Sequence, residues 1–143
     1  MPTDLRNRLF EELDSLVLID PHTHIDALSP ASRDLSEILG YHYYTELAHS
    51  AGLPRQQIEA PEITPREKVG LLLNNLEPIQ NTIQYSWLIE MCRKFFGFEG
   101  KIINGSNWES IYDAAQAKMD EPDWSEQVLK PVSYTHLTLP TKA

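Results

Sequence analysis

The run Leu16-Val17-Leu18-Ile19-Asp20, closed by Pro21, most limits what this chain can fold into. It is short, branched and apolar, which fits a strand buried on both faces, as in a parallel sheet. The expected strand covers about 16–21. A single strand is not a stable sheet. Its partners are expected outside these 143 residues, so the chain is expected to be part of a larger protein.

Two histidines follow at once, His22 and His24, in the stretch PHTHID. Residues i and i+2 of a strand point the same way. Two imidazoles so placed can share one metal ion, with Zn–N distances of about 2.0–2.1 Å. Parallel α/β folds place their sites at the carboxyl ends of strands. Asp20 or Asp26 can orient a ring from behind. The alternative is two polar residues at a strand-to-loop boundary. Two ligands do not complete a metal site in either case.

Everything downstream of the loop DALSPASRD has helical character. Before the strand, Leu5, Leu9, Leu13 and Leu16 predict a helix over about 4–15, with Thr3 as a candidate N-cap. After the loop, Leu35, Ile38 and Leu39 predict one short helix. His42 to Ser50 predict another, stopped by Gly52 and Pro54. RQQIEAPEI reads as a linker. Thr64-Pro65-Arg66-Glu67 spells a capping box with proline at the first helical position. The helix it opens carries Val69, Leu72, Leu73 and Leu76, and Pro78 kinks or ends it. A further helix carries Tyr85, Leu88, Ile89, Cys92, Phe95 and Phe96 and closes at Gly97. Ser106 and Glu109 suggest a second capping box ahead of Trp108, Ile111, Tyr112 and Ala115. A last short helix is expected from Trp124 to Lys130. Trp87, Phe95, Phe96 and Trp108 read as core aromatics, and Cys92 as an inert core thiol.

On the helix from His42, the residues His42, Glu46 and His49 fall at i, i+4 and i+7, on one face. That face is either a second metal site or a solvated surface. Tyr43 beside His42 can reach a pocket as a phenolic acid or base.

Charge and composition narrow the function. The chain carries 21 acidic and 12 basic residues, a formal net charge of −9. Such a chain lacks the lysine and arginine surface that phosphate backbones require, so no nucleic acid is expected as partner. The same charge argues against anionic membrane surfaces. No apolar run approaches the ~20 residues of a membrane span. The N-terminus lacks the apolar core of a signal peptide. One cysteine rules out an internal disulfide, and a cytoplasmic location is expected. Neither a dinucleotide fingerprint nor a phosphate loop occurs.

Three segments, in order, resemble one family. LIDPHTHI resembles the first-strand metal motif of the amidohydrolase superfamily. LSEILGYHYYTELAHSAGLP resembles the following segment of uronate (glucuronate) isomerases, where a Gly-x-His-Tyr run opens a helix. NTIQYSWLIEMCRKFFGFEGKIINGSNWESIYDA resembles the helical insertion of the same family. The resemblance covers about 17 to 130. It implies a parent (β/α)8 barrel of TIM type, of which these residues supply the first strand (about 16–21) and a helical insertion (about 34–130), so that this chain itself is mainly α. It implies that His22 and His24 are ligands of a divalent metal, usually zinc. It implies that His42 and Tyr43 face a small-molecule sugar acid, with Tyr43 a candidate for proton transfer. The family's remaining ligand, an aspartate from the last barrel strand, and a substrate-binding arginine near it are absent.

The sequence departs from the family after His42-Tyr43. Lys-Trp-Arg is usual there, and Tyr44-Thr45-Glu46 stands in its place. Tyr41 replaces a common aspartate. An arginine is lost and a carboxylate gained where an acidic sugar is expected.

The expected activity is aldose–ketose isomerisation of a uronate, of the glucuronate-to-fructuronate type, in a parent enzyme; the fragment alone is expected to be inactive. Residues 132–143 resemble translated sequencing-adapter read-through and are expected to be a non-native tail, His136 included. Two other readings stay open: a metal-dependent hydrolase using the same histidines, and a non-catalytic helical binding module whose H-x-H is incidental.

Overall fold

The computed structural model describes residues 2–17 and 24–130. Among them there is no strand: eight α-helices and one 3-10 turn carry the chain. They are α1 (Pro2–Asp14), α2 (Leu35–Leu39), α3 (His42–Ser50), α4 (Arg55–Ile58), α5 (Pro65–Leu73), the turn Glu77–Ile79, α6 (Ile83–Phe96), α7 (Trp108–Met119) and α8 (Trp124–Leu129). The expected strand over 16–21 lies largely outside the described residues. Of its two described members, Leu16 is in a bend and Val17 is 94% exposed in irregular chain. The expected tail also lies outside them. No helix among the described residues is long and apolar enough to cross a membrane.

The core is built by α2 to α8. Helix α2 packs on α5, α6 on α7, and α5 on α7, while α3 and α4 close against α2 and α5. Leu35, Leu39, Leu72, Leu76, Leu88 and Met119 are almost fully buried at its centre. Each such side chain is worth about 1.5–3 kcal/mol of transfer from water. No polar or charged residue is fully buried among the described residues, so this core is apolar throughout.

Local chemistry sets the helix ends. The Asp34 carboxylate accepts from Ser36 N at 2.6 Å and caps α2. The capping box of α5 forms as its spelling demands: Thr64 Oγ1 accepts from Glu67 N, and Glu67 Oε2 accepts from Thr64 N at 2.9 Å. The Thr64 hydroxyl also donates to Glu67 Oε2 at 2.6 Å, and this bond, together with the one from Thr64 N, holds the Glu67 carboxyl below its ordinary range. Thr82 caps α6, and Gly97 ends it in the left-handed region at φ 67°, where a side chain would be strained.

Several expectations change. Thr3 lies inside α1 and is not its N-cap. The leucine stripe of α1 is uncovered, with Leu5, Leu9 and Leu13 at 55–66% exposure. The linker contains a one-turn helix, α4, started by Pro54. Pro78 neither kinks nor ends α5, which has already stopped at Leu73; it lies in the 3-10 turn. Ser106 and Glu109 form no capping box. Ser106 Oγ donates to Asn104 Oδ1 at 2.7 Å, Asn107 is the N-cap residue, and Glu109 faces Arg66 at 3.9 Å. Trp87 is 52% exposed, on the face of α6 opposite the buried Tyr85, Leu88, Ile89 and Cys92.

Two features lock the unit together. On the α5–α7 face, the Arg66 guanidinium lies over the rings of Trp108 (5.6 Å) and Tyr112 (5.0 Å) and pairs with Asp113. The Trp108 ring presses on the backbone of Gly70: a Cβ there would sit 2.8 Å from its Cη2. At the other side, the chain just after the histidine loop is clasped to the last two helices. Trp124 Nε1 donates to the Ser32 carbonyl at 2.8 Å, and Arg33 Nη1 donates to the Met119 and Glu121 carbonyls at 3.1 and 3.3 Å. Tyr112 Oη donates to Asp34 Oδ2 at 3.2 Å.

Candidate functional site

Of the four residues singled out, three are described. His22 lies outside the described residues. His24 is exposed at the start of the loop that runs to α2. Asp26 closes a turn in that loop, its Oδ1 accepting from Leu28 N at 2.8 Å. Asp20 lies outside the described residues.

His42 and Tyr43 open α3, directly after the extended Tyr41 (φ −67°, ψ 145°). The ridge pattern of α3 decides which way they face. Tyr44 and Ala48 turn inward and are buried, so His42, Tyr43, Glu46 and His49 turn outward. The rings of Tyr41, His42 and Tyr43 cluster, with centroids 4.2, 4.4 and 5.1 Å apart. Tyr43 keeps 47% exposure, so its phenol is open to a ligand. Tyr44 differs from its neighbour: it donates to the Gln84 carbonyl at 3.3 Å, and burial, with a smaller contribution from Cys92, pushes its phenol up to about 12. It is a structural anchor and remains protonated.

His42 also lines a cavity of about 250 Å³ between α3 and α4, together with Gly40, Thr45, Glu46, His49, Arg55, Ile58 and Glu59. His49 Nδ1 is 3.1 Å from the Leu53 carbonyl. A carbonyl can only accept, so Nδ1 carries the proton of this bond. Arg55 Nε binds Glu59 Oε1 at 2.9 Å. Tyr43 and His24 are not among the lining residues.

No group of three or more histidine, cysteine or carboxylate side chains among the described residues converges on a metal position. The helical spacing of His42, Glu46 and His49 therefore gives a shared polar face and not a second metal site: i, i+4 and i+7 neighbours need not aim at one point. For the H-x-H pair, His22 lies outside the described residues, and among the described ones no such group forms.

Arg55 and Glu59 were not singled out from sequence. Their signal was the i, i+4 spacing of opposite charges after Pro54. Cys92, by contrast, is where its spacing placed it, fully buried on α6, and burial pushes its thiol up to about 12.

No family model matches the chain. Individual proteins do. The chain is 24% identical over 135 residues to a uronate isomerase of Corynebacterium efficiens, covering 88% of this chain and 29% of that protein. It is 27% identical over 138 residues to a uronate isomerase of Nostoc punctiforme, covering 87% and 29%. It is 28% identical over 121 residues to one of Thermotoga neapolitana, covering 80% and 26%. The chain thus spans less than a third of the length of the curated relatives it matches.

Proposed function

We propose that this chain is the N-terminal part of a uronate isomerase, a metal-dependent enzyme interconverting aldo- and keto-uronates such as glucuronate and fructuronate. The observation that carries the reading is the similarity to proteins named uronate isomerase along 80–88% of the chain. The outward, half-exposed Tyr43 packed against His42 supports it.

Moving a carbonyl from C1 to C2 takes a proton off C2 and returns one to C1, through an enediol whose negative charge must be stabilised. Tyr43 is suited to part of that work. Its phenol is open to solvent at a helix start and can hold or return a proton at Oη. His42, wedged between Tyr41 and Tyr43, is placed to hydrogen-bond a substrate oxygen and orient it. A divalent metal, zinc by preference, would polarise the carbonyl when bound. His22 and His24 are the residues of this chain proposed to contribute to it, and the remaining ligand, the carboxylate base and the strand partners of 16–21 would come from the rest of the parent. The chain by itself is accordingly proposed to be inactive.

The test is an assay of the parent protein, obtained from the complete gene, with glucuronate, product formation being followed by NMR. Interconversion with fructuronate is expected. Hydrolysis of amides or lactones without isomerisation would replace this reading with a metal-dependent hydrolase. Neither activity would favour a non-catalytic helical module.

A further inference from the structure

Six asparagines occur in the chain, and Asn104 alone is followed by glycine, in Ile103-Asn104-Gly105-Ser106-Asn107. An asparagine side-chain amide is an electrophile one ring closure away from the next backbone nitrogen. A glycine there puts no Cβ in the way of that closure. Asn104 and Gly105 are both exposed, between the buried Ile103 and the start of α7. Packing asks for the glycine: a Cβ at position 105 would stand 2.6 Å from Asn74 Oδ1.

The turn acts on both reacting groups. Asn104 Oδ1 accepts from Ser106 N at 2.9 Å and from Ser106 Oγ at 2.7 Å. A backbone N–H only donates, which fixes this atom as the oxygen and leaves Nδ2 on the other branch. Two donors on Oδ1 polarise the side-chain carbonyl and stand where oxyanion charge develops when Cγ is attacked. The Asn104 main-chain carbonyl accepts from Asn107 N at 3.2 Å and from Trp108 N at 3.1 Å. Those bonds draw electrons out of the Asn104–Gly105 peptide and make its N–H more acidic. Neither Gly105 N nor Asn104 Nδ2 has a hydrogen-bond partner among the described residues, so nucleophile and leaving group are both unencumbered.

We propose that Asn104 is a site of spontaneous modification, at which the turn promotes closure to a succinimide and conversion to aspartate or isoaspartate. Gly105 N gives its proton to solvent, and its electron pair forms a bond to Asn104 Cγ. The Cγ–Nδ2 bond breaks, and Nδ2 leaves with a solvent proton as ammonia. Water then opens the ring. Cleavage of the new N–Cγ bond gives aspartate; cleavage between Gly105 N and the Asn104 main-chain carbonyl carbon gives isoaspartate. Nothing is oxidised or reduced: amide plus water becomes acid plus ammonia. The isoaspartyl product carries one more methylene in the main chain. That insertion falls between Ile103, whose N donates to the Oη of buried Tyr85 at 3.0 Å, and Gly105, which lies against Asn74. Asn104 thus gives the helical unit a clock whose isoaspartyl product displaces the start of α7.

Incubation of the 143-residue chain at mildly alkaline pH tests this, with peptide mapping by mass spectrometry following the amide-to-acid mass shift at each asparagine. Asn104 should convert ahead of the other five asparagines. It should also convert faster in the folded chain than in the same chain in concentrated urea at matched pH. Ser106→Ala removes one donor from Oδ1 at an exposed position. It should slow the folded-state rate about two- to tenfold, the rate equivalent of one hydrogen bond, and leave the rate in urea nearly unchanged. The comparison of folded with urea-unfolded protein uses the unsubstituted chain and holds whatever the variant does to folding. An Asn104 still intact when other asparagines have converted, a rate that rises on unfolding, or a Ser106→Ala variant folded by circular dichroism with an unchanged rate overturns the proposal.

Discussion

Replacing Gly70 by alanine should destabilise the helical unit, although helix propensity argues the opposite. Gly70 lies within α5, where exchange of glycine for alanine ordinarily gains about 1 kcal/mol. Here the new methyl would stand 2.8 and 2.9 Å from Cη2 and Cζ2 of Trp108. Carbon atoms pack at about 3.5–4.0 Å, so the ring must retreat by roughly 1 Å. It is not free to do so cheaply, because Arg66 lies over its face and is itself held by Asp113. Overpacking of this kind costs about 1–3 kcal/mol. The sum is a net loss of about 1 kcal/mol, which at a urea slope of roughly 1–3 kcal/mol per molar lowers the midpoint by about 0.3–1 M. The control is Trp108→Ala. That change is destabilising in itself, but in its background Gly70→Ala should stabilise by about 0.5–1 kcal/mol, since only propensity remains. Urea unfolding followed by circular dichroism measures both. A Gly70→Ala variant more stable than the parent chain, or an equal loss in both backgrounds, would refute the packing argument.

Further outcomes follow from the same contacts. Thr64→Ala removes the side chain that accepts from Glu67 N, and should cost about 1 kcal/mol in the same unfolding assay. Cys92 should resist thiol reagents at neutral pH until the chain unfolds, since it is fully buried with its thiol pushed up to about 12; rapid labelling of folded protein would contradict its placement. Folding also raises the Tyr44 phenol to about 12, so both groups support the folded state fully below their ordinary values, near 8.5 and 10, and that support is lost as pH rises toward 12. Alkaline titration of stability should show this decline, and Cys92→Ala should make it shallower even if it lowers stability at neutral pH. In the parent enzyme, Tyr43→Phe should lower kcat by about 10²–10⁴-fold with the fold unchanged by circular dichroism; full activity would remove Tyr43 from proton transfer.

Much of the helical unit was legible in the residues because its signals are local. The bounds of α3, the capping box at Thr64 and the left-handed stop at Gly97 depend on a few adjacent positions. The failures have tertiary or competing local causes. At Ser106 the Asn104 and Asn107 side chains organise the turn first, Asn107 Oδ1 accepting from Asn104 N at 2.9 Å, while Arg66 from another helix sits opposite Glu109. Helix α4 has four residues, too few for a periodic signal, so its pocket residues Arg55 and Glu59 went unnoticed. Trp87 was legible and misread: it is two residues from Tyr85 and one from Leu88, which places it off the buried stripe. The leucines of α1 announce a helix correctly, but periodicity does not say what covers it. At the candidate site the sequence supplied His42 and Tyr43 by adjacency, whereas the cavity beside them is made by the crossing of α3 with α4, which no spacing encodes.

The clasp between Ser32 and Trp124 has a consequence for how such a unit can be carried. Entry and exit of the helical core stand one hydrogen bond apart, 92 residues distant in sequence. Domains whose ends meet are tolerated as insertions, because the interrupted chain needs to be parted by little. The helices from α2 to α8 thus begin and end side by side. Arg33 and Trp124 hold those two ends together, so a change at either would part both at once.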